Sequence, residues 1–105
     1  IRLMTVLCDK LRQTSELAED FMFLELRQRL AKRLVRLAQL YGRPWRSGVI
    51  INFRLPQREL AAMMGTSRES INKQLREWAE AGWLEVDRGN IAVLNMEALT
   101  REYEA

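Results

Sequence analysis

The residues of this 105-residue chain that could do chemistry are concentrated between Arg68 and Arg76. Ile71, Leu75 and Trp78 step by four and three, which is the spacing of one apolar face of a helix. The same period predicts an exposed polar face made of Arg68, Glu69, Asn72, Lys73 and Arg76. Cationic side chains can donate hydrogen bonds to the acceptors of guanine, and a carboxylate can accept one from the cytosine amino group. A side-chain amide can form paired hydrogen bonds with adenine. A generic amphipathic helix can carry the same residues, so the surrounding elements decide whether these residues indicate base recognition.

The elements before this helix predict a helix-turn-helix. A first helix is predicted over residues 57–64, opened by Pro56 at its first position, where the missing N–H costs nothing. Gly65 ends it, because the sharp turn requires a positive φ. Ser67 is typical of an N-cap, so the second helix is predicted from Arg68 to about Ala81. The expected shared core consists of Leu60, Met64, Ile71, Leu75 and Trp78, with the small Ala61 where the helices meet.

A β-hairpin is predicted directly after the second helix. Residues 83–86 alternate apolar and polar side chains, which predicts a first strand. Residues 87–90 are of types that favour a turn, and the apolar residues 91–94 predict the second strand. A hairpin in this position makes the unit a winged helix. Asn95 is then predicted to cap a last short helix that contains Met96, Leu99 and Tyr103.

A leucine-rich helix is predicted upstream, from about Phe23–Glu25 to Tyr41. Its expected buried face is Leu26, Leu30, Leu34, Leu37 and Leu40, and its opposite face is Arg27, Arg29, Lys32, Arg33 and Arg36. Gly42 and Pro44 predict a loop over residues 42–48. The β-branched run at residues 49–53 predicts a short strand.

The first residues predict a dimerisation helix over residues 1–23. Apolar and small side chains recur with a period near 3.5, at Met4, Leu7, Leu11, Thr14 and Ala18. Such a narrow seam favours a parallel partner helix, whereas packing against its own domain is the alternative. The expected fold class is therefore α+β, with a winged helix-turn-helix domain over residues 24–105 behind a long dimerisation helix.

Positive charge is concentrated in the middle of the chain. The formal net charge is +3, but residues 42–76 carry seven basic and two acidic side chains, whereas residues 77–105 carry two and seven. A surface that binds a polyanion needs a Lys or Arg close to each phosphate. The alternative explanation is a chance excess of arginine on a solvated face.

The composition argues against an enzyme and against a membrane protein. The chain has no His and only Cys8, so a zinc site and a Cys-His nucleophile lack their residues. No apolar run approaches the roughly 20 residues of a membrane-spanning helix, and no signal peptide is recognisable. We expect a cytoplasmic protein that binds double-stranded DNA, and the alternative is a winged helix that binds only an acidic protein partner.

One long segment resembles a known family. The run LPQRELAAMMGTSRESINKQLREWAEAGWLEVDRGNIAVLN is similar to the DNA-binding domain of the cyclic-AMP receptor protein and fumarate-nitrate regulator family, written Crp/Fnr. The turn from Gly65 to Glu69, with a basic residue at Lys73, is its most specific part. The helix from Ile1 resembles the family's dimerisation helix.

The resemblance implies roles for individual residues. Base contacts are expected from Arg68, Glu69, Asn72 and Lys73, and phosphate contacts from Gln57, Arg58, Ser67, Ser70 and Arg76. Three positions depart from the family pattern. Lys73 replaces a usual Arg and cannot make its two-pronged guanine contact, Asn72 replaces a Gly or Ser, and Pro56 replaces a Thr or Ser that could cap the helix.

The resemblance also implies how the chain works. We expect the output half of a sensor-regulator, which binds an inverted-repeat operator as a homodimer and contacts RNA polymerase. A β-rich sensor domain precedes the long helix in the family, and a cyclic nucleotide or another effector would act there. No cofactor is expected in this chain.

Overall fold

The computed structural model describes the backbone of residues 16–104 and the side chains of residues 25–104. Helices and strands are mixed along this range, and the strands form one small antiparallel sheet. The order is α1 (Glu16–Tyr41), β1 (Gly42–Trp45), β2 (Gly48–Ile51), α2 (Gln57–Met64), α3 (Arg68–Glu80), β3 (Leu84–Asp87), β4 (Asn90–Val93) and α4 (Met96–Tyr103). The predicted α+β winged helix is confirmed.

The first helix runs without a break through the predicted boundary at Phe23–Glu25, so that boundary is wrong. A change in the phase of apolar residues alters which face is buried, but only a residue such as Pro interrupts the backbone hydrogen bonds, and none lies there. The division at residue 23 remains a prediction. Of the predicted dimerisation residues, Met4, Leu7, Leu11 and Thr14 lie outside the described residues, and Ala18 is described only in its helical backbone.

The buried face of α1 departs from the predicted leucine stripe near its end. Leu26, Leu30 and Leu34 are buried as predicted, Leu37 is half-buried, and Leu40 is 65% exposed. Each step of three residues rotates about 60° backwards around a helix, so Leu40 lies about 120° from Leu34. The buried face is completed by Ala31, Val35 and Ala38.

The strands form one antiparallel sheet in the order β1-β2-β4-β3. β1 occupies a segment predicted to be a loop, and it pairs with β2 from Gly42 opposite Ile51 to Trp45 opposite Gly48. Pro44 is tolerated because β1 is an edge strand, where a missing backbone donor can face away from the ladder. β2 ends at Ile51, two residues before the predicted end of the strand.

The helix-turn-helix is formed by α2 and α3, as predicted. Pro56 is the N-cap of α2 and not its first helical residue. Gly65 adopts the left-handed conformation, with φ of 68°, and the N–H of Thr66 closes the end of α2. Ser67 caps α3, because its hydroxyl oxygen accepts the N–H of Ser70 at 3.2 Å.

The wing and the last helix follow the prediction closely. β3 and β4 are joined by Arg88 and Gly89, both with positive φ, of 53° and 86°. Two consecutive positive φ angles match the twist of a tight hairpin. Asn95 caps α4, where its side-chain oxygen accepts the N–H of Ala98 at 3.0 Å. The predicted core side chains Leu60, Met64, Ile71, Leu75 and Trp78 are all buried.

Arg27 joins three helices through its guanidinium group. One nitrogen lies 2.7 Å from a carboxylate oxygen of Glu102 in α4, and the other lies 3.5 Å from Glu77 in α3. The Arg27 and Glu102 side chains are 26% and 19% exposed, so water screens this pair only partly. The ion pairs therefore fix α1 against both α3 and α4.

We expect Glu102→Gln to lower the free energy of unfolding by about 1–2 kcal/mol, because it leaves a partly buried guanidinium without its nearest carboxylate. The matched control is Glu97→Gln in the same helix. It removes an exposed ion pair with Arg101, and we expect a change below about 0.5 kcal/mol. Denaturant unfolding followed by tryptophan fluorescence measures both. Equal effects would show that the pair does not anchor the helices.

Candidate nucleic-acid interface

The predicted base-contacting residues lie on one face of α3. Arg68, Glu69 and Lys73 are exposed and Asn72 is half-buried, whereas the apolar side chains of the opposite face are in the core. Arg76, predicted to contact phosphate, is exposed on the same side. At about 100° per residue, these five positions span an arc of about 140° around the helix. The helix thus presents cations, a carboxylate and an amide together on one surface.

The middle of this surface is held by the first helix of the motif. The side-chain nitrogen of Gln57, at the start of α2, donates to the side-chain oxygen of Asn72 at 3.2 Å. Both residues are half-buried. This hydrogen bond orients the Asn72 amide before any ligand arrives, and it places the start of α2 beside the polar face of α3.

The N-terminus of α3 has the properties of a phosphate site. The Ser67 hydroxyl donates to the Ser70 hydroxyl at 3.0 Å and also accepts the Ser70 N–H. The first N–H groups of a helix lack partners within it and carry partial positive charge, which favours an anion. Arg58 is exposed on α2. Four of the five predicted phosphate-contacting residues therefore lie at the starts of the two helices, namely Gln57, Arg58, Ser67 and Ser70, whereas Arg76 lies about two turns into α3.

Two cations at the wing were not among the predicted contacts. The loop before α2 packs on the wing turn, since the Leu55 N–H donates to the Gly89 carbonyl at 2.9 Å. A Cβ atom at Gly89 would lie 2.8 Å from Nε of Arg54, so glycine permits the arginine to cross the turn. Arg54 and Arg88 are both exposed beside this turn. Arg54 lies in the basic region of residues 42–76, whereas Arg88 lies in the acidic C-terminal region, within the turn predicted at residues 87–90. The two are far apart in the chain, so no sequence pattern indicated that they lie beside the same turn.

The described residues hold neither a candidate metal cluster nor a membrane-spanning helix. No group of three or more His, Cys, Asp or Glu side chains within this range could hold a metal ion. None of the described helices is long and apolar enough to cross a membrane. The candidate site is the exposed polar face of α3 with the cations around it, because most of the predicted contact residues lie there.

The comparison with known families matches this geometry. Residues 28–102 match the Crp-like helix-turn-helix domain. The chain belongs to this family. The matched range extends from α1 to α4, so it includes the helix-turn-helix and the wing. The resemblance to the Crp/Fnr family is thereby confirmed.

Individual relatives match most of the chain but extend well beyond it. A CRP-like cAMP-activated global transcriptional regulator of Mycobacterium tuberculosis is 33% identical over 100 residues, which are 95% of this chain and 45% of the relative. The anaerobic regulatory protein of Bacillus subtilis is 27% identical over 85 residues, 81% of this chain and 36% of that protein. The chain thus spans less than half the length of these relatives.

Solved structures of the family have the same fold. The catabolite activator protein of Thermus thermophilus is 29% identical, with a TM-score of 0.69 over 96% of this chain and 44% of its own. The CO-dependent transcription factor CooA from Carboxydothermus hydrogenoformans is 27% identical, with a TM-score of 0.74 over 80% of this chain and 39% of its own. The shared fold places α3 where the family has its second motif helix.

Proposed function

We propose that this chain is the DNA-reading half of a Crp/Fnr-type transcriptional regulator, which binds an inverted-repeat operator as a homodimer. The observation that carries the proposal is the exposed polar face of α3, held in a helix-turn-helix by a buried apolar face. The name of the relative from Mycobacterium tuberculosis, a CRP-like cAMP-activated global transcriptional regulator, supports it. Such a protein acts on DNA in the cytoplasm and needs no catalytic centre.

We assign a base-reading role to each side chain on the polar face of α3. Arg68 can donate two parallel hydrogen bonds to guanine, and Glu69 can accept one from the cytosine amino group. Asn72 can pair with adenine through its amide once the neighbouring Gln57 has oriented it. Lys73 carries a compact charge on a flexible stem, so it discriminates less sharply than the arginine usual in the family.

The cations around this face would neutralise the DNA backbone. The proposed phosphate contacts are Gln57, Arg58, Ser67, Ser70 and Arg76, and we add Arg54 and Arg88, which are exposed beside the wing turn. Backbone contacts of this kind fix the register of the protein on the duplex without reading sequence. The two wing arginines extend the surface beyond α3 to the next stretch of backbone.

Dimerisation would relate two such surfaces by a two-fold axis. Residues 1–23, including Met4, Leu7, Leu11, Thr14 and Ala18, form the proposed seam between parallel helices. An effector, such as a cyclic nucleotide, would act on a sensor domain outside this chain. RNA polymerase is a further proposed partner of the DNA-bound dimer.

We expect Glu69→Ala to relax base preference at one position of each half-site, by roughly 1–3 kcal/mol of discrimination. Non-specific affinity should stay equal or rise, because a carboxylate facing a polyanion is removed. Glu80→Ala, an exposed carboxylate at the other end of α3, is the control and should leave the preference unchanged. Binding to a library of randomised half-sites measures this, and an unchanged profile for Glu69→Ala would contradict its role.

The dimer mechanism predicts a strict dependence on half-site spacing. Two recognition helices related by a two-fold axis meet major grooves about 34 Å apart, so inserting about five base pairs should abolish simultaneous binding. An insertion of about ten base pairs returns the half-sites to one face of the duplex but separates them by about 68 Å, so it should also abolish simultaneous binding. Mobility-shift titrations with the full-length protein measure this. Equal affinity for all three spacings would exclude the symmetric dimer.

A further inference from the structure

A second positively charged surface lies between α1 and the end of α2. It is a groove with a volume of about 290 Å³. We call it the basic groove. The residues that line it are Arg29, Lys32, Arg33 and Arg36 from α1, and Met63 and Met64 from α2.

The cations of the basic groove repel one another. Arg29 and Arg33 are four residues apart, as are Lys32 and Arg36, and like charges at this spacing destabilise a helix. No carboxylate lines the groove, and none of these four cations forms an ion pair with a carboxylate among residues 25–104. By contrast, Arg27, Arg46 and Arg101 each have such a partner. An acidic ligand would relieve this repulsion.

The floor of the basic groove is apolar. Met63 is 43% exposed although it is a large hydrophobic side chain, and Met64 beside it is buried. A methionine thioether is flexible and polarizable, so it adapts to apolar side chains of different shapes. A phosphate gains nothing from such a floor, whereas a protein segment that combines carboxylates with an apolar side chain gains from both parts of the groove.

The basic groove lies away from the candidate DNA-reading surface. Arg27 forms an ion pair with Glu77 of α3, so it marks the side of α1 that faces α3. Arg36 is nine residues from Arg27 and Arg29 is two, so both cations lie roughly 160–180° around the helix from that contact. A ligand in the groove and DNA on α3 would therefore occupy different sides of the domain.

We propose that the basic groove is a docking site for an acidic segment of a partner protein, which places an apolar side chain on Met63. The site is separate from the proposed DNA contacts and adds a second partner. Binding there would join the partner to the regulator while α3 stays on DNA. The four cations select an acidic occupant, and the exposed Met63 selects a protein segment over a nucleic acid.

The test uses two synthetic peptides and two matched pairs of variants. One peptide is a short helix with carboxylates on one face and leucines on the other, and the second replaces the leucines with serine. Arg33→Ala with Arg36→Ala is compared with Arg43→Ala and Arg101→Ala, which remove the same charge elsewhere on the surface. Met63→Ser is compared with Leu40→Ser, because both remove an exposed apolar side chain.

We expect the groove double variant, Arg33→Ala with Arg36→Ala, to lower the affinity for the leucine peptide about tenfold. The charge-matched control, Arg43→Ala with Arg101→Ala, should change that affinity less than about twofold. Met63→Ser should weaken it about threefold and Leu40→Ser should not, and the serine peptide should bind less tightly than the leucine peptide. Fluorescence anisotropy measures these affinities. All the substituted side chains are exposed, so unfolding curves should coincide with that of the unchanged chain.

The DNA measurements separate this site from the recognition surface. Peptide binding should persist when duplex DNA saturates the protein, and the groove double variant should keep its DNA affinity within about twofold of the control. Displacement of the peptide by DNA would overturn the proposal, because the peptide would then occupy α3. Loss of DNA affinity in the groove variant would assign the groove to nucleic acid and also overturn it. Equal peptide affinity for both double variants would also overturn the proposal.

Discussion

The burial of one face of α3 is the constraint on which the rest of the structure depends. Ile71, Leu75 and Trp78 are at most 3% exposed, and their period leaves no freedom in how the helix is rotated. Removing these side chains from water favours one orientation by several kcal/mol, which exceeds what any surface contact supplies. The direction of the polar face is therefore a consequence of core packing. The proposed DNA-reading surface is thus formed before any DNA binds.

Smaller contacts refine this orientation at three points. The positive φ of Gly65 sets the angle between the motif helices, and Gln57 holds the amide of Asn72 from the side. At the far end of α3, Glu77 meets Arg27 of the long helix. Because α1 continues from residues 16–23 of the proposed dimerisation helix to Arg27, a shift between two copies would reach α3 through a direct ionic contact as well as through the core.

Local chemistry predicted most of the fold, and tertiary pairing explains what it missed. The cap at Ser67, the turn at Gly65 and the wing turn at Gly89 each depend on one or two residues, so the sequence shows them directly. Strand β1 forms only because β2 lies beside it. Pro44 is typical of a loop, so the sequence pattern predicted a loop in this segment. The wing contact of Arg54 and the basic groove join residues that are distant in the chain. The individual DNA contacts stay predictions, because no local rule specifies a partner molecule.

The salt dependence of duplex DNA binding tests the central claim most directly. If the exposed face of α3 meets the DNA backbone, the logarithm of affinity should fall linearly with the logarithm of salt concentration, by about 0.9 for each phosphate neutralised. Removing the exposed cation with Arg76→Ala should then make that slope shallower by about one. A slope that is flat, or one that Arg76→Ala leaves unchanged, would contradict the assignment of this face to DNA.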